Sequence, residues 1–179
     1  MDTGAGFYGN RDTGSVEWDY HFYVVNGLTS DISQSSGIRS ARPNYKTDNN
    51  GDKAVVARLG MSPFLGLNVA ANFYRGVYSD TGNDSLTLAG FDVFYKTGRY
   101  EFVSEFAQAS IETESGSDIP DTMRGGYIEA RAHVLQSYLA SKFSGFRSPV
   151  ITLFTRFGFV DTDVDTGYFT YRSMVGFNF

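Results

Sequence analysis

The segment Val16-Glu17-Trp18-Asp19-Tyr20-His21-Phe22-Tyr23-Val24 alternates without a break: even positions are apolar or aromatic, and Glu17, Asp19 and His21 fall between them. A period of two sends successive side chains to opposite faces of a strand, so one face here is apolar and the other charged. About eight or nine segments of this kind, each roughly ten residues long, recur down the chain. Sustained over a whole chain, with aromatics near the strand ends, this pattern is characteristic of a transmembrane β-barrel.

Composition narrows the alternatives. At 179 residues a single domain is expected, spanning 1–179. Aromatics make up 16 % of the chain, with 16 Phe and 12 Tyr against one Trp, and 20 Gly are available for turns. No run approaches the ~18 apolar residues of a membrane helix, which excludes a helical membrane protein. A mean hydropathy of −0.25 is compatible with a barrel, because half of each strand faces water. The absence of cysteine excludes a disulfide framework and Cys-based metal sites. A net charge of −5 argues against a general nucleic-acid binder. Met1 is followed by Asp-Thr-Gly-Ala-Gly, with neither a basic nor an apolar leader region, so for an exported barrel the expectation is a mature form or a fragment.

The expected strands are a partial one at 4–10, then 15–25, 53–61, 65–75, 86–95, 100–110, 125–134, 149–160 and 168–179. Connections alternate in length: short at 11–14, long and polar at 26–52, short at Ser62-Pro63, middling around 79–84, short at 96–99 and long at 112–122. Short turns on one side and long loops on the other are the rule for outer-membrane barrels, and counting through places the C-terminus on the short-turn (periplasmic) side. The segment 135–148 breaks the rule; its Leu135, Tyr138, Leu139, Phe143 and Phe146 suit a membrane interface.

A β-sandwich or lipocalin-like barrel also has short, regularly spaced strands, and its charged face is simply its surface. Its strands average about 5–6 residues, shorter than those expected here. Alternation assigns Leu65, Leu67, Val69, Ala71 and Phe73 to one face, lipid in the membrane reading, and Asn68, Ala70 and Asn72 to the lumen.

Several stretches resemble the strands of bacterial outer-membrane porins, specifically the phosphate-selective porin-like family. They are Asp2-Thr-Gly-Ala-Gly-Phe-Tyr-Gly9, Val25-Asn26-Gly27, Asp52-Lys-Ala-Val-Val-Ala-Arg-Leu-Gly60 and Leu86-Thr-Leu-Ala-Gly-Phe-Asp92. Gly126-Tyr-Ile-Glu-Ala-Arg131, Pro149-Val-Ile-Thr-Leu-Phe-Thr-Arg-Phe157 and Tyr171-Arg-Ser-Met-Val-Gly-Phe-Asn178 continue the likeness in order. It implies an all-β, antiparallel up-and-down transmembrane β-barrel, or a meander of about 8–10 strands belonging to a barrel of about sixteen or more. On that likeness the chain reads as a C-terminal-half fragment. The competing reading takes Phe177 and Phe179 as the aromatic-x-aromatic ending of an outer-membrane protein. Outer-membrane lipid, lipopolysaccharide and small solutes are the implied partners, with a homotrimer left open and no nucleic acid.

Lumen-facing candidates are Lys53, Arg58, Arg75, Arg131, Arg156 and Arg172, beside Glu17, Asp19, Asp92, Glu101, Glu105 and Glu129. Rings of bases favour anions and rings of acids favour cations. Phosphate specificity needs arginines converging on one constriction, and acids are as frequent here, so the family's phosphate preference is not carried over. Asp161-Thr-Asp163-Val-Asp165-Thr-Gly167 opens like a calcium loop, but its glycine is one place late and Arg172 stands where the closing Glu belongs. His21 and His133 sit on polar faces with no partner in a recognisable catalytic spacing. The expectation is a pore wall for small hydrophilic solutes or ions, phosphate-like anions included, with no catalytic residues, metal or cofactor. The alternative is a non-conducting barrel that uses its long loops as an adhesin or receptor.

Overall fold

The computed structural model describes residues 3–42, 53–80, 84–113, 117–135, 138, 139, 142, 145 and 150–178. Nine strands follow one another: β1 (Gly4–Thr13), β2 (Val16–Asn26), β3 (Lys53–Phe64), β4 (Leu67–Val77), β5 (Ser85–Thr97), β6 (Tyr100–Ile111), β7 (Thr122–Val134), β8 (Ile151–Asp161) and β9 (Phe169–Asn178). They form a single antiparallel sheet in chain order, an up-and-down meander. β1 and β9 are its two edges, and the sheet is not closed into a barrel. No helix among the described residues is long and apolar enough to cross a membrane.

Strands of 10 to 13 residues match the roughly 9–11 residues that a tilted strand needs to cross a bilayer. Three hairpins close through two-residue turns, Gly14-Ser15, Leu65-Gly66 and Gly98-Arg99, each with its glycine at positive φ. Gly66 is constrained twice, since a Cβ there would lie 2.2 Å from the Lys96 carbonyl of the neighbouring turn. The hairpins are tighter than the alternation suggests: β1 runs on to Thr13, and the four-residue turn expected at 96–99 shrinks to two. β3 continues past Ser62-Pro63 to Phe64, with the register shifting between Met61 and Phe64. Proline has no N–H for the ladder, and a bulge absorbs it without ending the strand.

The register is staggered. A lateral row of register partners runs through Asp19, Gly60, Ala70, Asp92, Glu105, Tyr127, Gly158 and Arg172. Beyond it toward the loops, β2 extends from Tyr20 to Asn26, whereas β8 extends only from Phe159 to Asp161. Toward the turns the imbalance reverses: Val16–Trp18 on β2 against Ile128–Val134 on β7. Both ends therefore slide the same way across the sheet, the sense of stagger that tilted barrel strands require.

A buried apolar cluster lies at the loop end. Leu86, Ala109, Ile111 and Met123 from the sheet pack with Tyr78 and with Leu28, Ile32 and Ala41 from the loop after β2. At the turn end, in the segment after β7, the Leu139 N–H donates to the Leu135 carbonyl at 2.9 Å. Phe143, Phe146 and residues 43–52 lie outside the described residues.

Candidate functional site

Register sorts every strand residue onto one of two faces. The outer face carries Tyr20, Phe22, Leu59, Val69, Phe73, Phe91, Phe102, Phe106, Ile128, Leu153, Phe157, Val175 and Phe177. Many of these are open to the surroundings: Leu59 is 54 % exposed, Ile128 62 % and Val175 86 %. Its aromatics run in chains across strands. Phe91 meets Phe106 at 5.7 Å, Phe106 meets Phe159 at 6.4 Å, and Phe159 stacks on Phe169 at 5.5 Å. Gly126 lies between Phe106 and Phe159 in the register, and its missing side chain lets the two rings meet. The charges on this face are Arg11, Lys53, Arg75, Arg124 and Asp161, each within three residues of a strand end.

Lys53 and Arg75 thus depart from the expectation that they line a lumen. Arg75 pairs with Val55 and Thr87, Lys53 with Asn26, and both have the parity of the outer face, at its loop-side rim. The alternation itself carried this signal: Arg75 has the odd parity of Val69 and Phe73, and Lys53 that of Leu59. Arg75 donates to Thr87 Oγ1 at 3.3 Å and lies 3.6 Å from Glu112.

Arg58, Glu101, Glu105, Glu129, Arg131, Arg156 and Arg172 all lie on the inner face. His21, Arg58, Asn72, Asp92, Glu105, Glu129 and Arg156 stand at or next to the midpoints of β2 to β8, so the stagger turns them into a belt at constant depth. The belt is knit by ion pairs. Arg58 donates to Asp92 at 2.9 Å and lies 3.6 Å from Asp19; Asn72 donates to the other Asp92 oxygen at 2.7 Å. Glu129, 6 % exposed, accepts from Arg156 Nε at 2.5 Å and from Arg131 Nε through its second oxygen. Glu101 gathers Lys96 at 2.8 Å and Arg131 at 3.5 Å, and His133 Nε2 stands 3.1 Å away outside hydrogen-bond geometry. The Arg156 guanidinium lies 4.2 Å over the Tyr127 ring, whose hydroxyl donates to Glu105 at 2.8 Å. Arg131 and Arg156 therefore flank one carboxylate rather than forming a bare positive patch.

Toward the loops the inner face changes character. Tyr74, Leu86, Leu88, Ala109, Ile111 and Met123 share the charged face's parity, yet they are covered by the chain after β2. The Leu28 N–H donates to Tyr74 Oη at 3.0 Å, and the Thr29 N–H donates to the Ala41 carbonyl at 2.8 Å, closing residues 29–41 into a loop. Its tip is pinched by Ser33 and Gly37, and a Cβ at Gly37 would lie 3.7 Å from Thr162 and 3.9 Å from Met123. The loop thus crosses the inner face instead of extending outward. Beneath it lies a cavity of about 1100 Å³, roofed by Ser36, Gly37, Ile38 and Arg39 and walled by Arg58, Asp92, Glu105, Arg156 and Arg172. Alternation gave no sign of this; the only signal was Leu28, Ile32 and Ile38 inside an otherwise polar stretch.

The rim loop after β8 holds the far end of that crossing. Asp163, 8 % exposed, accepts from Thr166 Oγ1 and Gln34 Nε2, both at 2.6 Å, and from the Thr166 and Asp165 N–H groups at 3.1 and 3.2 Å. Thr166 first, then Gln34 and Asp165, hold its carboxyl below the usual aspartate range. The Ser85 N–H does the same for Glu112. Asp161 instead points its carboxylate to Arg124 at 3.2 Å. The calcium-like spelling of 161–167 accordingly does not converge: among the described residues no three Asp, Glu or His side chains are placed to hold a metal. His21 faces Tyr8 and Tyr23 by stacking, and His133 Nδ1 meets Thr152 Oγ1 at 2.9 Å.

The class these features define is an all-β, nine-stranded antiparallel meander with one apolar and one ion-paired face. Comparison with known protein families, with curated proteins and with solved structures finds no match to the chain.

Proposed function

We propose that the sheet is wall of an outer-membrane porin, passing small hydrophilic solutes or ions by passive diffusion. The observation that carries the reading is the opposition of the two faces at mid-depth. Every outer-face charge is near a strand end, whereas the inner face is most charged at the strand midpoints. A soluble sheet has no reason to keep the middle of one face free of charge and open, because exposed apolar area costs roughly 25 cal/mol per Å² in water. In a bilayer the same face is the solvated one. Likeness in sequence order to phosphate-selective porin-like strands adds to the reading, and so does the loop that narrows the inner side. Outer-membrane lipid and lipopolysaccharide are then the surroundings, and the bacterial outer membrane is the location.

Backbone groups left unpaired in hydrocarbon cost several kcal/mol each, so the reading requires the free edges of β1 and β9 to be paired, with each other or with further strands. The test is conductance of the full-length protein in planar bilayers. Stable ion-conducting steps are expected. A heat-modifiable barrel that assembles but does not conduct would favour the adhesin or receptor alternative. A water-soluble monomer would remove both.

A further inference from the structure

The loop of residues 29–41 is held at several points, one of them Ser30 Oγ donating to Asp80 at 2.9 Å. Near its base, Leu28, Ile32 and Ala41 sit in the apolar cluster; at its tip, the described polar contact to the opposite rim is Gln34 with Asp163 and Thr166. Gln34 is separated by 129 residues from Asp163, and the contact joins the connection after β2 to the one after β8 across the inner face. The acceptor is built in advance. One Asp163 oxygen is fixed by the backbone N–H groups of Asp165 and Thr166, which orients the other, shared with Thr166 Oγ1, toward the incoming amide. Ser36, Gly37, Ile38 and Arg39, which roof the cavity, begin two residues after Gln34 in the chain. Ile38 also packs against the apolar cluster, so Gln34 holds the tip side of a roof whose other side is seated in that cluster.

We propose that Gln34 and Asp163 form a latch that holds this loop across the inner face, and that Gln34 is a positioning residue setting the opening beneath it. The inference rests on the pore reading for its consequence, but the latch is measurable without it. Gln34→Glu keeps the size and packing of the side chain and replaces the donating amide with an oxygen that Asp163 repels; Gln34→Ala removes the contact altogether. Both leave the rim loop's own hydrogen bonds in place.

The experiment follows amide hydrogen exchange in residues 28–41 and single-channel conductance, with full-length wild type, Gln34→Glu and Gln34→Ala reconstituted side by side. A hydrogen bond to a charged group is worth roughly a factor of ten in local opening, so about ten-fold faster exchange in the tip is expected for both variants. Conductance and the size limit for neutral sugars should both rise. Unchanged exchange would overturn the latch. Faster exchange with unchanged conductance and size limit would overturn its role in setting the opening. If the wild type does not conduct, the pore reading fails on its own, and the exchange result still upholds or overturns the latch.

Discussion

The inner face of this sheet is two surfaces in one. At mid-depth it is ionic, with Arg58 between Asp19 and Asp92 and Glu129 between Arg131 and Arg156. A few residues nearer the loops, the same parity of the same strands carries Leu86, Ala109, Ile111 and Met123, buried under a loop. The strands do not change between the two regions; what covers them does. At mid-depth the side chains are charged and pair with one another, Arg58 with Asp92 and Glu129 with Arg156. Where the chain folds back on itself, they are apolar and packed. One face therefore carries an ion-paired belt at mid-depth and a packed apolar cluster nearer the loops.

The largest effect should come from disturbing the covered region. Leu86 is fully buried, so Leu86→Ala should cost about 2–5 kcal/mol, while Leu59→Ala on the outer face should fall within about 0.5 kcal/mol of wild type. Urea titration of the refolded protein in micelles checks both, and equal losses would show that the loop-end cluster is not a core. Next comes the contrast between faces. Phe73→Arg places a charge on the outer face beside the β4 midpoint and should cost about 2–4 kcal/mol of assembly, whereas Asn68→Arg, beside Asp19 on the inner face, should be tolerated. Equal folding yields in liposomes would refute the assignment.

Replacing Arg131 and Arg156 together by Gln leaves Glu129 without a cation and should move ion preference toward cations, because the field in a narrow pore follows its lining charge. Reversal potentials under a salt gradient read this; no shift would place the pair off the conducting path. The smallest effect concerns pH at the rim. Asp163 is held below the ordinary aspartate range, so its contribution is fully present above the unfolded value of about 3.9 and is lost only as pH falls through its lower folded value. Asp161, Asp165 and Arg124 lie nearby, with Arg124 committed to Asp161. Protection of residues 28–41 against hydrogen exchange should accordingly stay flat from neutrality to about pH 4 and fall below it. A loss near pH 6 would point to a different group.

The strands and their order were legible because alternation is local: each residue's face follows from its neighbours' parity, and Gly14, Gly66 and Gly98 mark the turns. The inner placement of Arg58, Glu101, Glu105, Glu129, Arg131, Arg156 and Arg172 follows from the same rule. Lys53 and Arg75 show that charge is a poorer guide than parity near a strand end, where an outward-facing cation reaches the polar rim. The inward loop was hidden for a different reason. Its contacts join Leu28 to Tyr74 and Gln34 to Asp163, pairs far apart in the chain, and no period in the sequence records them.

The account stands on the two faces meeting different solvents, and the cysteine-free chain allows this to be measured directly. Single cysteines placed in turn at positions 67 to 73 of β4, spin-labelled in the full-length protein in liposomes, report collision with oxygen from the lipid and with a nickel chelate from water. The account predicts two period-two profiles in opposite phase, with oxygen highest at 67, 69, 71 and 73 and nickel highest at 68, 70 and 72. Nickel access at every position alike would contradict it.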